Sequence, residues 1–165
     1  METTPLFRNA ELSDAGKIAE IWNQGIEEGN ATLETEFRDE KFVKQWLINR
    51  DARYTVMVAE SSGYISGWLS LNKFSQRDAY RFVTDISIYV RRDLRNMGTG
   101  GLLLDQGISR ARNNLFHKIV LTMIYGNERA KKLYLSRGFS SVGILHEQGI
   151  INNKWIDTEI MEKIL

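Results

Sequence analysis

The stretch from Ile86 to Ser109, ISIYVRRDLRNMGTGGLLLDQGIS, limits the folds open to this chain more than any other part. A β-branched, alternating run ends, a short basic segment passes, and three glycines open a helix with apolar residues at helical spacing. Gly98, Gly100 and Gly101 permit close backbone approach. The first amides of a helix have no partner within it, and its dipole adds positive character there, so such a loop is suited to hold an anion such as phosphate. Arg95 can add a guanidinium, whose planar donors match phosphate oxygens. A tight turn also uses glycines, and on the loop alone both readings stand. Two nucleotide motifs are excluded. No Lys-Ser/Thr follows the last glycine, and the glycine spacing fails the G-x-G-x-x-G pattern.

The rest of the chain alternates helix and strand signals. A short strand is expected at residues 6–10, and Ser13 is expected to cap a helix carrying Ile18, Ile21, Trp22 and Ile26. Residues 29–37 read as a loop. A second helix is expected over residues 39–50, with Phe42, Val43, Trp46 and Leu47 on its buried side. Residues 54–60 and 64–71 flank a Ser61-Ser62-Gly63 turn and predict a hairpin. A loop over residues 72–78 leads to a longer strand at 80–90. The helix after the glycines spans residues 99–115, with Leu104, Ile108, Ala111 and Leu115 as its stripe. A strand at 118–125, a helix at 128–136, a strand beginning at Gly138-Phe139 and a last strand at 154–165 complete the order. This is an α/β (α+β) pattern, a mixed sheet covered by helices. The length of 165 residues suits a single domain over residues 1–165.

Composition removes several classes of function. The chain has no cysteine, so disulfides, thiolate zinc sites and a cysteine nucleophile are excluded. His117 and His146 do not make a metal centre, and no metal is expected. Lys and Arg total 22 against 21 Asp and Glu, which gives no broad basic surface for nucleic acid. No apolar run is long enough to span a bilayer, and residues 1–8 lack the basic and apolar segments of a leader, so a cytoplasmic location is expected.

Two blocks carry a resemblance. Arg95-Asn96-Met97-Gly98-Thr99-Gly100 resembles the Q/R-x-x-G-x-G/A signature of the GNAT acetyltransferase superfamily, and it follows a strand as that family requires. Asn127-Glu128-Arg129-Ala130-Lys131-Lys132-Leu133-Tyr134, with Gly138-Phe139 after it, looks like the family's N-x-x-A-x-x-L-Y-x-x-x-G-F element. Asn30-Ala31-Thr32-Leu33-Glu34-Thr35, Ala79-Tyr80-Arg81, Ser87-Ile88-Tyr89-Val90 and Gly149 to Asp157, ending in Lys154-Trp155-Ile156-Asp157, are similar to the phosphinothricin and methionine sulfoximine acetyltransferase branch.

The resemblance implies a mostly antiparallel sheet of six to seven strands with about four helices and a splayed central pair. It implies acetyl-CoA as cosubstrate, a small amino-acid-like amine as acceptor, and a homodimer. Ile88, Tyr89 and Val90 would meet the pantetheine arm. Arg95, Asn96, Met97, Gly98, Thr99, Gly100, Gly101, Asn127 and Lys132 would hold the rest of the coenzyme. A protein N-terminal or lysine acetyltransferase shares these motifs, and a non-catalytic acyl-CoA-binding module keeps the loop without the base.

Transfer to an amine needs a base for the ammonium proton, a donor for the carbonyl oxygen and an acid for the thiolate. Asp85 stands where the branch carries a glutamate; it is either that base, directly or through water, or the partner of a cation such as Arg81. The Ile88 amide is the candidate carbonyl donor and Tyr134 the candidate acid. Arg77 and Arg81 are candidates for an acceptor carboxylate, Phe74 and Tyr80 for a pocket wall, and residues 30–35 for the opposite wall. Trp155 and Asp157 read as structural.

Overall fold

A computed structural model describes residues 4–165; residues 1–3, part of the segment read as lacking a leader, lie outside the described residues. Seven strands form one sheet in the order β1-β2-β3-β4-β5-β7-β6. They are β1 Leu6–Asn9, β2 Val56–Ser61, β3 Tyr64–Lys73, β4 Val83–Val90, β5 Lys118–Ile124, β6 Ser140–Ile151 and β7 Lys154–Ile164. Every neighbouring pair is antiparallel except β4 with β5. Helices α1 Ala15–Glu28 and α2 Glu40–Ile48 cover one face; α3 Thr99–Asn113 and α4 Glu128–Ser136 cover the other.

Side-chain alternation sorts the strands onto two cores. Val56, Val58 and Trp68 face Ile18, Ile21 and Trp22 of α1, whereas Leu69, Leu71 and Ile86 face Leu103, Leu104 and Ile108 of α3. Trp22, Trp46, Trp68 and Tyr89 form a ring cluster, with Tyr89 stacked on Trp68 at 4.6 Å between centroids. Gly25 lets α1 close on this cluster, because a Cβ there would lie 2.8 Å from the Tyr89 ring.

Four local expectations are corrected. Ser13 caps nothing; a 3-10 turn at Leu12–Asp14 precedes α1, and the Asp14 carboxylate accepts the Glu11 amide at 2.7 Å while Arg8 holds it. Phe42 is 41% exposed, because it lies under the Arg38 guanidinium at 4.4 Å instead of in the core. The α3 stripe stops before Leu115, which turns left-handed at φ 61° and is 74% exposed; the Phe116 amide bonds Ala111 O and Phe116 takes the buried place. Strand β4 starts at Val83 and not at Tyr80, since Asp78–Tyr80 forms a 3-10 turn.

Candidate active site

The site begins where the sheet stops pairing. β4 and β5 match only at Val83–Lys118, Thr84–Ile119 and Asp85–Val120, after which the strands diverge. The Arg91 amide bonds Ser66 O across to β3. An antiparallel ladder alternates, so Asp85, Ser87 and Tyr89 bond β3 through their backbone, while Ile86, Ile88 and Val90 turn theirs toward the gap. The sheet thus presents a half-ladder to whatever enters between β4 and β5. A cleft of about 420 Å³ fills this gap and runs from the glycine loop to residues 31–33.

At one end lies the N-terminus of α3. Asn96 and Gly98 are both left-handed, at φ 64° and 84°, and this pair of bends throws Met97 out to solvent and turns Gly98 into the helix. A side chain at Gly98 would meet open space, so only the backbone angle calls for glycine there. The first helical bond of this turn is Leu102 N–H to Gly98 O, and no side chain caps the helix. The amides of Thr99, Gly100 and Gly101 are therefore left to an anion, and these three residues line the cleft with Asn96 and Gly98. This arrangement fits a diphosphate.

Arg95 borders the cleft, but two of its three nitrogens are committed. Nη1 meets both Glu28 carboxylate oxygens at 2.7 Å, and Nε donates to Val90 O at 3.1 Å. Arg92 reaches Glu27 and Glu28 as well, and Arg91 is paired with Asp93. Burial tends to raise the Glu28 carboxyl, yet the two guanidinium groups win and hold it below the usual range. The basic run therefore ties α1 to the loop and leaves little free charge for phosphate. Arg129, in the first turn of α4, lines the cleft and has no carboxylate partner among the described residues.

Asp85 lies at the apex of the splay. Burial pushes its carboxyl up to about 6, opposed by a hydrogen bond from Asn72 Nδ2 to Oδ1 at 3.3 Å. Above that pH it is an anion partly withdrawn from water, which suits a general base. Tyr134 from α4 lines the same cleft, its ring edge-on to Phe139 at 5.6 Å. Burial raises its phenol well above the usual value, so at neutral pH it carries its proton. Ser87, Tyr89, Thr122, Ile124 and Thr158 share Asp85's face of the sheet, and Thr32 and Leu33 roof it. The roof is tied down: Asn127 Oδ1 caps α4 through the Ala130 amide, and its Nδ2 donates to Asn30 O, each at 3.1 Å.

Of the residues singled out from the sequence, Asp85, Ile88, Tyr89, Val90, Arg95, Asn96, Gly98, Thr99, Gly100, Gly101, Asn127 and Tyr134 meet in this one cleft. Met97, Lys132, Phe74, Arg77, Tyr80 and Arg81 do not line it. Arg81 is paired with Asp78 at 3.0 Å and lies over Phe82; Phe74 and Tyr80 pack edge-on against each other. The pairing of Asp85 with Arg81 does not occur; its partner is Asn72. The sequence reading missed Arg129, Thr122, Thr158 and Asn72. Arg129 had a signal, as a cation in the first turn of a capped helix after the anion loop. The others come together only through strand register.

A half-ladder beside a capless helix N-terminus, with a carboxylate at the apex, suits an acyltransferase that takes its acyl group from a coenzyme A thioester. The chain belongs to the GNAT acetyltransferases: the Acetyltransferase (GNAT) domain model matches residues 7–160. It is 26% identical over 161 residues to the L-methionine sulfoximine/L-methionine sulfone acetyltransferase of Salmonella typhimurium, covering 94% of this chain and 92% of that one. A solved ribosomal-protein-alanine N-acetyltransferase from Brucella melitensis superposes with TM-score 0.94 at 31% identity, over 97% of this chain and 99% of that one. A phosphinothricin acetyltransferase from Sinorhizobium meliloti, solved with acetyl-CoA, gives 0.93 at 26% identity, over 99% and 89%. The protein is an acetyltransferase with acetyl-CoA as cosubstrate.

Proposed function

We propose that this enzyme moves the acetyl group of acetyl-CoA onto the primary amine of a small amino-acid-like acceptor, of the phosphinothricin or methionine sulfoximine type, by direct attack. The observation that carries this reading is the end of β4–β5 pairing at Asp85, which puts a half-buried carboxylate at the meeting point of an anion loop and a roofed pocket. The Thr99, Gly100 and Gly101 amides hold the diphosphate, and Ile88 and Val90 offer backbone groups to the pantetheine arm. Asp85 takes a proton from the acceptor ammonium. The freed amine forms the new C–N bond as the C–S bond breaks; the Ile88 amide polarises the carbonyl, Tyr134 gives its proton to the leaving sulfur, and the second proton shed by the acetylated nitrogen restores the Tyr134 phenol. The aspartate is one methylene shorter than the branch's glutamate, so a water between it and the amine is part of the proposal.

Residues 1–165 work as one domain and, in this reading, as a cytoplasmic homodimer. No helix among the described residues is long and apolar enough to cross a membrane. The outer strands β6 and β7 carry exposed Val142, Ile150 and Trp155, which suits a second copy. A protein N-terminal alanine is the second reading, favoured by the name of the Brucella melitensis structure. The roof at residues 31–33, held by Asn127, favours the small acceptor. A thiol-release assay with acetyl-CoA separates the two. Turnover is expected with methionine sulfoximine, phosphinothricin or a common amino acid, and not with peptides beginning in alanine. Turnover with the peptides alone overturns the small-acceptor reading.

A further inference from the structure

Behind the proposed base lies a half-buried guanidinium with no carboxylate partner among the described residues. Arg50, between α2 and β2, donates from Nε to Tyr54 O at 2.8 Å and from Nη2 to Leu71 O and to Asn72 Oδ1, the last at 3.0 Å. Its guanidinium lies 4.5 Å from the Trp46 ring centroid. Burial lowers its pKa only to about 10, so the cation persists at neutral pH. A guanidinium has donors and no acceptor, so the Asn72 oxygen must face it. The Asn72 nitrogen is thereby turned toward β4, where it donates to Asp85 Oδ1 at 3.3 Å and Ser87 Oγ at 3.1 Å. Register places Asn72 directly opposite Asp85, and the Thr84 hydroxyl fixes the Asn72 carbonyl at 2.9 Å.

We propose that Arg50 and Asn72 are positioning residues for acetyl transfer: the guanidinium sets which way the Asn72 amide points, and the amide anchors one Asp85 oxygen toward β3, leaving the other for the acceptor. This rests on the reading of Asp85 as the base. The other ionisable groups around Asp85 do not supply this anchor. Tyr89 on its own strand and Tyr134 from α4 sense its charge as neutral phenols, and Glu34 in the roof loop is bonded by Trp22. Lys118 and Glu162, further along the same face on β5 and β7, are paired with each other.

The test is the acid limb of kcat/KM for the acceptor, read from pH 5 to 9 with melting temperature alongside. Asn72→Asp keeps the shape and the Arg50 contact but sets a negative charge where the donor was. It is expected to move the limb up by about one pH unit, an approximately tenfold drop at low pH that recovers toward pH 9. Asn72→Ala is expected to move it the same way by less. Arg50→Met frees the amide and moves it too; because Arg50 also holds two backbone carbonyls, the Asn72 pair decides the matter if that variant does not fold. Equal loss at every pH with an unmoved limb, in both Asn72 variants, overturns the proposal. Asp85→Asn is the control. If it keeps the parent rate and limb, the base assignment has failed and this proposal falls with it, an outcome the Asn72 variants alone do not produce.

Discussion

At the scale of residues, Asp85 is held against its own preference. Its folded pKa of about 6 exceeds the ordinary carboxyl value of 3.8, so the fold favours the neutral acid. The associated stability is fully present below pH 3.8 and is lost as pH rises through about 6. Asp85→Asn removes that penalty while removing the base. It is expected to be more stable than the parent at pH 8, by up to about 3 kcal/mol, with the advantage gone at pH 4. Thermal unfolding at the two pH values checks this, and kcat in the same samples is expected to collapse. A variant that loses activity and melts lower at pH 8 would mean that the carboxylate serves the fold. Asp85 was visible in the sequence because it stands where the resembling branch carries a glutamate, on the strand that enters the glycine loop. Its partner was not. Asn72 and Arg50 are joined to it by register and by a turn, and neither leaves a trace in local spacing.

At the scale of elements, α4 shows how a motif can be right while a side-chain choice within it is not. Asn127 caps the helix, its Oδ1 accepting the Ala130 amide. Lys132, however, lies outside the cleft wall, and Arg129 in the first turn lies on it without a carboxylate partner among the described residues. Arg129→Gln is expected to weaken acetyl-CoA binding about tenfold, a cost of ~1.4 kcal/mol, and Lys132→Gln to leave it within about twofold. Calorimetric titration at two salt concentrations checks this, the Arg129 effect shrinking as salt rises. Equal effects would place both side chains on the coenzyme. The same limit explains Arg77, Arg81 and Arg95. A guanidinium near a site was legible, but Asp78 and Glu28 had already claimed two of the three. Helix ends were hard to read for a related reason. Leu115 continues the α3 period in sequence, and only the left-handed turn after Asn114 shows that Phe116 takes its place.

At the scale of the whole molecule, the central sheet was readable and its far edge was not. Strands β2 and β3 flank a turn cluster, and β4 and β5 are rich in β-branched residues. In β6, Gly143 and Gly149 break the alternation, and Glu147 adopts φ 51° in a bulge where its amide bonds the Asp157 carboxylate at 2.8 Å. That edge hairpin exposes Trp155 at 61% and Val142 at 56%. The proposed dimer places a second copy there. Light scattering is expected to give twice the 19.0 kDa chain mass for the parent and the single mass for Trp155→Lys. An unchanged mass in that variant would move the interface elsewhere. The divergence of β4 from β5 has a different consequence. Beyond Asp85 the Ile88 backbone and the Val90 amide face the gap with no strand to answer them, and in the proposed reading the coenzyme's arm would lie there as a surrogate strand. So placed, the coenzyme would do more than deliver a reactant: it would knit shut the seam along which the sheet divides.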